Sequence, residues 1–311
     1  MSTYLNAESL IDSIKRRASV PENQVTFTKE DFLELANEEM LIGLVPSILQ
    51  FHEDYFVFEE AIPLIPNVAE YAIPYRAIGN KLRDVQYKLG DNTYNEMTRI
   101  GIGDRFSDYY NGLYRYYIRN NKVVFNTVNT NDTASLAMVY YIRPSKLVLQ
   151  DQIGVITSIN RTSGDITLSS IPAEFSTSTK YDFYKVKSPH RILSIDKSAV
   201  TINPSAKTVT FNITDIPADL EIGDHLAKAE ESNIPQIPTE LHVVLAHRVA
   251  CRILESIGDT QGLQNANIKL AEMEMKTGNL IDARVEDSAK KVVNRFSPLR
   301  RTIYSKKYNR R

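Results

Sequence analysis

The chain has 311 residues, with 37 Lys and Arg against 38 Asp and Glu and a formal net charge of −1, so overall charge singles out no polyanionic or polycationic partner. With 42% apolar and 24% charged residues its composition is that of a folded globular protein and excludes global disorder. A single cysteine, Cys251, excludes an intramolecular disulfide and a zinc site built on several thiolates, and no run approaches the ~18 apolar residues of a membrane-spanning helix. The opening MSTYLNAESLIDSIKRR also lacks the long apolar core of a signal peptide.

Residues 1–54 read as helix. Leu10, Ile11 and Ile14 recur at helical spacing after Asn6, and Pro21 closes the segment. A second helix opens at Thr28, three residues before Asp31 in a near capping box, with Phe27 just ahead of it. Phe32, Leu35, Ala36, Met40, Leu44 and Ile48 continue an apolar stripe, which Gly43 and Pro46 are expected to kink or split. From 55 to 226 the period falls to two. VAEYAI, LRDVQYKL, LYRYYIRNNKVVFN and SLAMVYYIRP are strand-type runs, the third folding back on itself at Asn120-Asn121. They predict a sandwich or small barrel and not parallel βαβ units.

The stretch from Gly154, GVITSINRTSGDITLSSIPAEF, is echoed from His190 by HRILSIDKSAVTINPSAKTVTFNITDIPADL. Each has an I-x-S-I strand, a polar turn and a second strand, and Ile171-Pro172-Ala173-Glu174-Phe175 corresponds to Ile216-Pro217-Ala218-Asp219-Leu220. Two copies are too few for a solenoid, so the economical reading is a pair of similar hairpins closing one barrel. Helix returns after Pro235 and Pro238, with Thr239 as expected cap, a stripe of Leu241, Val244, Leu245, Val249, Ile253 and Ile257, and Gly258 as stop. A last helix follows from about Thr260, with Leu263, Ala266, Leu270 and Met273 on one face.

The predicted fold class is therefore α+β. Residues 1–54 and 234–285 form an α-helical bundle, 55–150 a β-rich domain and 151–233 a small barrel-like insertion, with 286–311 as an extended basic tail.

Motifs of known chemistry are missing. There is no phosphate-binding loop, nucleophile elbow, H-E-x-x-H or EF-hand, and Gly101-Ile102-Gly103 begins a dinucleotide fingerprint that the next residues do not continue. Of His52, His190, His225, His242 and His247, the last two are five apart on a predicted helix and do not share a face. Cys251, four residues after His247, sits in an apolar helical stretch and reads as a buried thiol. Asp219, Glu221 and Asp224 read as a turn, and Glu30, Asp31 and Glu34 as an acidic helix start. The chain is expected to have no metal, no cofactor and no enzymatic activity.

Charge is unevenly spread. Residues 288–311 carry +9 and no acid, which leaves −10 on the rest. Val292, Val293, Phe296, Pro298, Leu299, Ile303, Tyr304 and Tyr308 lie among these cations, so the segment suits either phosphates or a groove on an acidic protein. Arg105, Arg115 and Arg119 alternate with five tyrosines in RFSDYYNGLYRYYIR. They are possible nucleic-acid contacts, although alternating aromatics also cover one another across a sheet.

Several stretches together resemble the head-to-tail connector proteins of tailed bacteriophages, also called adaptor, neck or tail-tubular proteins. They are PENQVTFTKEDFLELANEEMLIGLVPSILQFHEDYFV, AEYAIPYRAIGNKLRDVQY, RPSKLV with VITSI, GDHL, IPQIPTEL and RFSPLRR. The resemblance implies a non-enzymatic virion protein at the neck between capsid and tail, forming a homo-oligomeric ring, commonly of twelve copies. Its partners would be the portal protein above, a tail or nozzle protein below, and genomic DNA passing without sequence specificity. Portal docking would fall to Phe296, Pro298, Leu299, Arg300, Arg301 and Tyr304. The other reading from the residues is a nucleic-acid-binding protein that uses the basic tail.

Overall fold

A computed structural model describes residues 5–21, 26–90, 93–106, 114–125 and 134–281. The fold is mixed α+β. Helix α1 (Ala7–Arg17) starts at Asn6, whose side chain accepts from the Ser9 N–H at 3.0 Å. Helix α2 (Lys29–Glu38) starts at the expected capping box, the Thr28 hydroxyl and the Asp31 carboxylate each accepting from the other's backbone. The chain then widens into a π-helical turn, Glu39–Leu44, before α3 (Val45–Phe51). This is the expected split at Gly43 and Pro46, and a neighbour accounts for the glycine. A Cβ at Gly43 would stand 2.4 Å from Arg248 Nη1, and Arg248 and Arg252 both bond Glu39 there, at 3.1 and 2.8 Å.

Strands β1 (Val57–Pro63), β2 (Glu70–Ala72), β3 (Ala77–Lys88), β4 (Tyr94–Glu96), β5 (Thr98–Arg99), β6 (Arg115–Arg119), β7 (Lys122–Phe125) and β8 (Ser135–Ile142) make two sheets, ordered β1-β8-β3-β4 and β2-β7-β6-β5. The β6–β7 turn is the predicted one, with φ of 48° and 58° at Asn120 and Asn121. Both sheets contribute to one core that includes Val85, Leu136, Met138 and Tyr140 from the first and Tyr71, Tyr116 and Val123 from the second. The alternation of β8 turns Tyr141 the other way, against the helices.

After β9 (Lys146–Leu147) comes a closed barrel of β10 (Gly154–Asn160), β11 (Asp165–Leu168), β12 (Lys180–Tyr184), β13 (Ile192–Asn203), β14 (Thr208–Phe211) and β15 (His225–Lys228), in the order β10-β11-β14-β13-β12-β15. The sequence echo holds in part, as a pseudo-two-fold axis: the second strands and the Ile-Pro-Ala segments are equivalent, but the two I-x-S-I matches are not, since they are 36 residues apart where the strands are related by 43. Displacing the β10–β11 register by 43 residues reproduces that of β13–β14, Ile156↔Leu168 becoming Ala199↔Phe211 and Asn160↔Asp165 becoming Asn203↔Thr208, with a bulge at the same step. The symmetry extends to the closing strands, where Gly154↔Leu226 and Val155↔His225 match Lys197↔Tyr181 and Ser198↔Lys180. The repeated Ile-Pro-Ala segments form like turns that return Phe175 and Leu220 to the barrel core.

Strand β16 (Glu231–Ser232) pairs with β9, and α4 (His242–Ile257) and α5 (Thr260–Ile281) follow. Gly258, at φ 82°, closes α4 as expected, but Thr239 opens a 3-10 turn, Thr239–Leu241, instead of capping α4 with its side chain. Residues of α1, α2, α3, α4 and α5 share one core, so helices from the two ends of the described chain pack together.

Gly164 and Gly223 test the barrel's turns. Gly164 has φ 79° and an added Cβ would meet Phe211 O at 2.2 Å, whereas Gly223, at φ 95°, faces open space. Gly164→Ala is expected to cost about 3 kcal/mol or more and Gly223→Ala about 1–2 kcal/mol, read as urea midpoints. Equal losses would show that conformation alone, and not the crossing of Phe211, requires the glycine.

Candidate functional site

The three bodies, helical core, paired sheets and barrel, meet around Arg76. This residue lies between β2 and β3 on the Pro-Tyr-Arg stretch, and its guanidinium is carried inward by Pro74 and Ala77, whose backbones close a turn at 3.0 Å. Arg76 and Asp182 of β12 form an ion pair with both side chains 1% exposed. Arg76 Nη2 also donates to Ser145 Oγ at 2.9 Å. Asp182 accepts two backbone N–H groups, Asp196 at 2.9 Å and Glu230 at 3.0 Å. Both donors sit in the left-handed region, at φ 55° and 68°, a conformation that costs about 1–2 kcal/mol for a residue with a side chain. Burial pushes the Asp182 carboxyl up, opposed by Arg76 and these N–H groups. Arg76, Asp196 N and Glu230 N are all donors to it, so the geometry is that of the ionised form.

Around this pair the chain ends of the insertion are stitched together. Ser145 N donates to Gln236 Oε1 at 2.8 Å, and Arg143 N to Arg76 O at 2.9 Å. Asn233 is buried, receiving from Ala7 N on its carbonyl at 2.8 Å, donating through its backbone N–H to Tyr184 Oη at 3.0 Å and through its amide to Val148 O at 3.1 Å and Glu8 Oε2 at 3.2 Å. Asn37 of α2 holds Leu147 N at 2.7 Å. Helix α1, helix α2, the β9–β16 pair and the barrel are thereby fixed by side chains reaching to backbone.

Two histidines complete the junction. His242 Nδ1 accepts from Leu5 N at 3.1 Å, and its Nε2–H is shared between Pro235 O and Ile237 O at 3.1 and 3.2 Å. His190 donates through Nδ1 to Val186 O at 2.6 Å and lies with its ring centre 5.2 Å from that of His242. These bonds fix the His242 tautomer and leave no position for a second proton without losing Leu5 N. A cavity of about 580 Å³ opens beside them, between Tyr55, Phe58, Ile142, His190, Ile192 and Gln236.

The sequence-derived candidates lie elsewhere. Phe296, Pro298, Leu299, Arg300, Arg301 and Tyr304 are outside the described residues, as is the side chain of Arg105. Arg115 is 6% exposed, and Arg119 pairs with Glu70, which Lys122 also reaches at 3.3 Å. Tyr116 and Tyr117 are buried and Tyr114 stacks on Tyr87 at 4.7 Å, the mutual covering that alternating aromatics offer. Cys251 is buried, and burial pushes its thiol up. Asp219 pairs with Arg191, Glu221 with Lys185 and Lys187, and Asp224 holds Glu221 N at 2.8 Å, so this acidic group is a turn. Among the described residues no three His, Cys, Asp or Glu are placed to hold a metal ion, and no helix is long and apolar enough to cross a membrane.

Sequence reasoning passed over Arg76, Ser145, Asp182, Asn233 and Gln236 as individual residues. Arg76, Ser145 and Gln236 nonetheless belong to AEYAIPYRAIGNKLRDVQY, RPSKLV and IPQIPTEL, stretches that converge here in space. Asp182 had a signal of its own, a lone carboxylate between aromatics in KYDFY, where only a buried partner makes an acid tolerable. Comparison of the chain with protein-family models and with curated proteins gives no match.

Removing one partner of the ion pair should do more harm than removing both. Arg76→Met leaves a buried carboxylate and is expected to lower stability by about 3–5 kcal/mol, while adding Asp182→Leu should recover part of the loss. A double variant no more stable than the single one would show that the Asp182 bonds to Asp196 and Glu230 matter more than its charge.

Acid sensitivity follows from the buried rings. Burial, reinforced by His190, pushes His242 down to about 4, and burial alone does the same to His225. Unfolded, both titrate near ~6.5, so the unfolded chain takes up protons first. The stability they contribute is complete above about pH 6.5 and is lost as pH falls toward 4. Burial pushes Glu60 and Glu231 up, an effect of opposite sign, which makes a difference measurement the appropriate test. His225→Phe should reduce the stability lost between about pH 7 and pH 4.5 by on the order of 2 kcal/mol; an unchanged loss would place the sensitivity outside His225.

Proposed function

We propose that the chain is a structural virion protein, a head-to-tail adaptor that assembles as a ring, of twelve copies, beneath the portal and continues the DNA channel toward the tail. The observation that carries this reading is the apolar surface of the helices. Ile42 on the π turn is 75% exposed, Ile268 and Met275 on α5 are 73% and 69%, and Leu41, Phe51, Val243 and Ile257 are also exposed. Side-to-side contact between copies would cover such residues.

In this reading the helices that share a core form the ring-building bundle, and the sheets and barrel face outward or toward a tail or nozzle protein. Residues 288–311, at +9, dock on the portal through Phe296, Pro298, Leu299, Arg300, Arg301 and Tyr304. The remaining −10 suits a channel wall, because a negative surface does not retain a sliding polyanion. The role is non-enzymatic and the site of action is the neck of the virion.

The test is native mass of the purified protein, alone and mixed with portal rings, with and without residues 288–311. Co-assembly that depends on this segment is expected, and Ile268→Glu with Met275→Glu should keep the fold and prevent the ring. A stable monomer that ignores portals and binds DNA through 288–311, with steep salt dependence, would overturn the adaptor reading in favour of a nucleic-acid-binding protein.

A further inference from the structure

Pro144, which borders the large cavity, also borders a smaller one of about 160 Å³, bounded by Arg76, Arg143, Lys146, Glu230, Asn37 and Leu41. Three of these side chains are cationic and one is anionic. Arg143 and Lys146 are exposed and make no ion pair among the described residues, and Glu230 makes none either. Solvated surface cations would be unremarkable by themselves. The independent observation is Arg76, 1% exposed, whose Nε is buried without a hydrogen-bond partner while its two other nitrogens are engaged by Asp182 and Ser145. A buried donor left unpaired costs about 1–3 kcal/mol, which an acceptor atom entering the cavity would recover.

We infer that this cavity receives a side-chain carboxylate from an acidic segment of a partner protein, held by Arg143 and Lys146 and accepting from Arg76 Nε. Size favours a side chain, since sites for free small molecules run to roughly 300–1,000 Å³. Leu41, 40% exposed and lining the cavity, provides an apolar flank for the residue next to the acid. A nucleic-acid strand fits less well, because its successive phosphates need a track of cations and Glu230 interrupts this one. Glu230 lines the same cavity and sets a like charge near the incoming acid. The assignment rests on Arg76, Arg143 and Lys146, none of which the proposed ring contact uses, and so does not depend on the ring.

The experiment uses the full chain, labelled for amide NMR, titrated with acetyl-Leu-Glu-Leu-amide, with its Gln counterpart and with inorganic phosphate. The Glu peptide is expected to shift the amides of Leu41, Ser145 and Lys146, and the Gln peptide to leave them in place. Arg143→Ala with Lys146→Ala, both exposed, should keep the melting temperature and weaken binding about tenfold, and Glu230→Gln should tighten it about threefold. Equal shifts with the Gln peptide, shifts with phosphate alone, no shift with any probe, or indifference to the Arg143 and Lys146 changes would each overturn the assignment.

Discussion

One buried carboxylate determines how the bodies of this protein meet. Among the described residues Asp182 has a single formal counter-charge, Arg76, and the two are almost wholly removed from water. In that environment an ion pair gains little net stability over an apolar pair, but it makes misplacement costly, because either charge alone would be stranded. Two backbone segments are bent into left-handed turns to donate to the same carboxylate. The bulged β12–β13 register and the entry to β16 are thus set by one side chain, and the turn between β2 and β3 that carries Arg76 is aligned to the barrel by its charge.

Much of the fold was legible in local chemistry. The Thr28 capping box, the Asn120-Asn121 hairpin, the interruption at Gly43 and Pro46 and the Gly258 stop are decided by residues within a few positions of one another, and each formed where expected. The echo between the Gly154 and His190 stretches was visible for the same reason, since equivalent strands in a duplicated barrel need equivalent alternation. Its register, and the division of the β region into paired sheets plus a barrel, depend on pairings more than 40 residues apart, as for Ile166↔Val209, which no local pattern encodes.

The candidate site was hidden by the same logic. Arg76 and Asp182 are 106 residues apart, and although the aromatics around Asp182 mark it as buried, nothing near either residue in sequence names the other as its partner. Arg115 and Arg119 drew attention because they cluster with tyrosines, yet the sheet buries one and pairs the other with Glu70. Clustering in sequence measures local composition, whereas a buried charge is defined by what topology brings opposite to it.

The pseudo-symmetry of the barrel is broken where it meets the rest of the protein. The position related to Asp182 is Ala227, fully buried and without charge, so only one half of the duplicated unit carries the docking group. Strands β10 and β15 pair at Gly154↔Leu226, which places the barrel's point of entry beside its point of exit. A module with adjoining ends and a single charged latch can be exchanged for another, or lost, by one insertion or deletion without rerouting the chain around it. The barrel is therefore the part of this architecture most open to evolutionary replacement, with the helices and sheets as its permanent chassis.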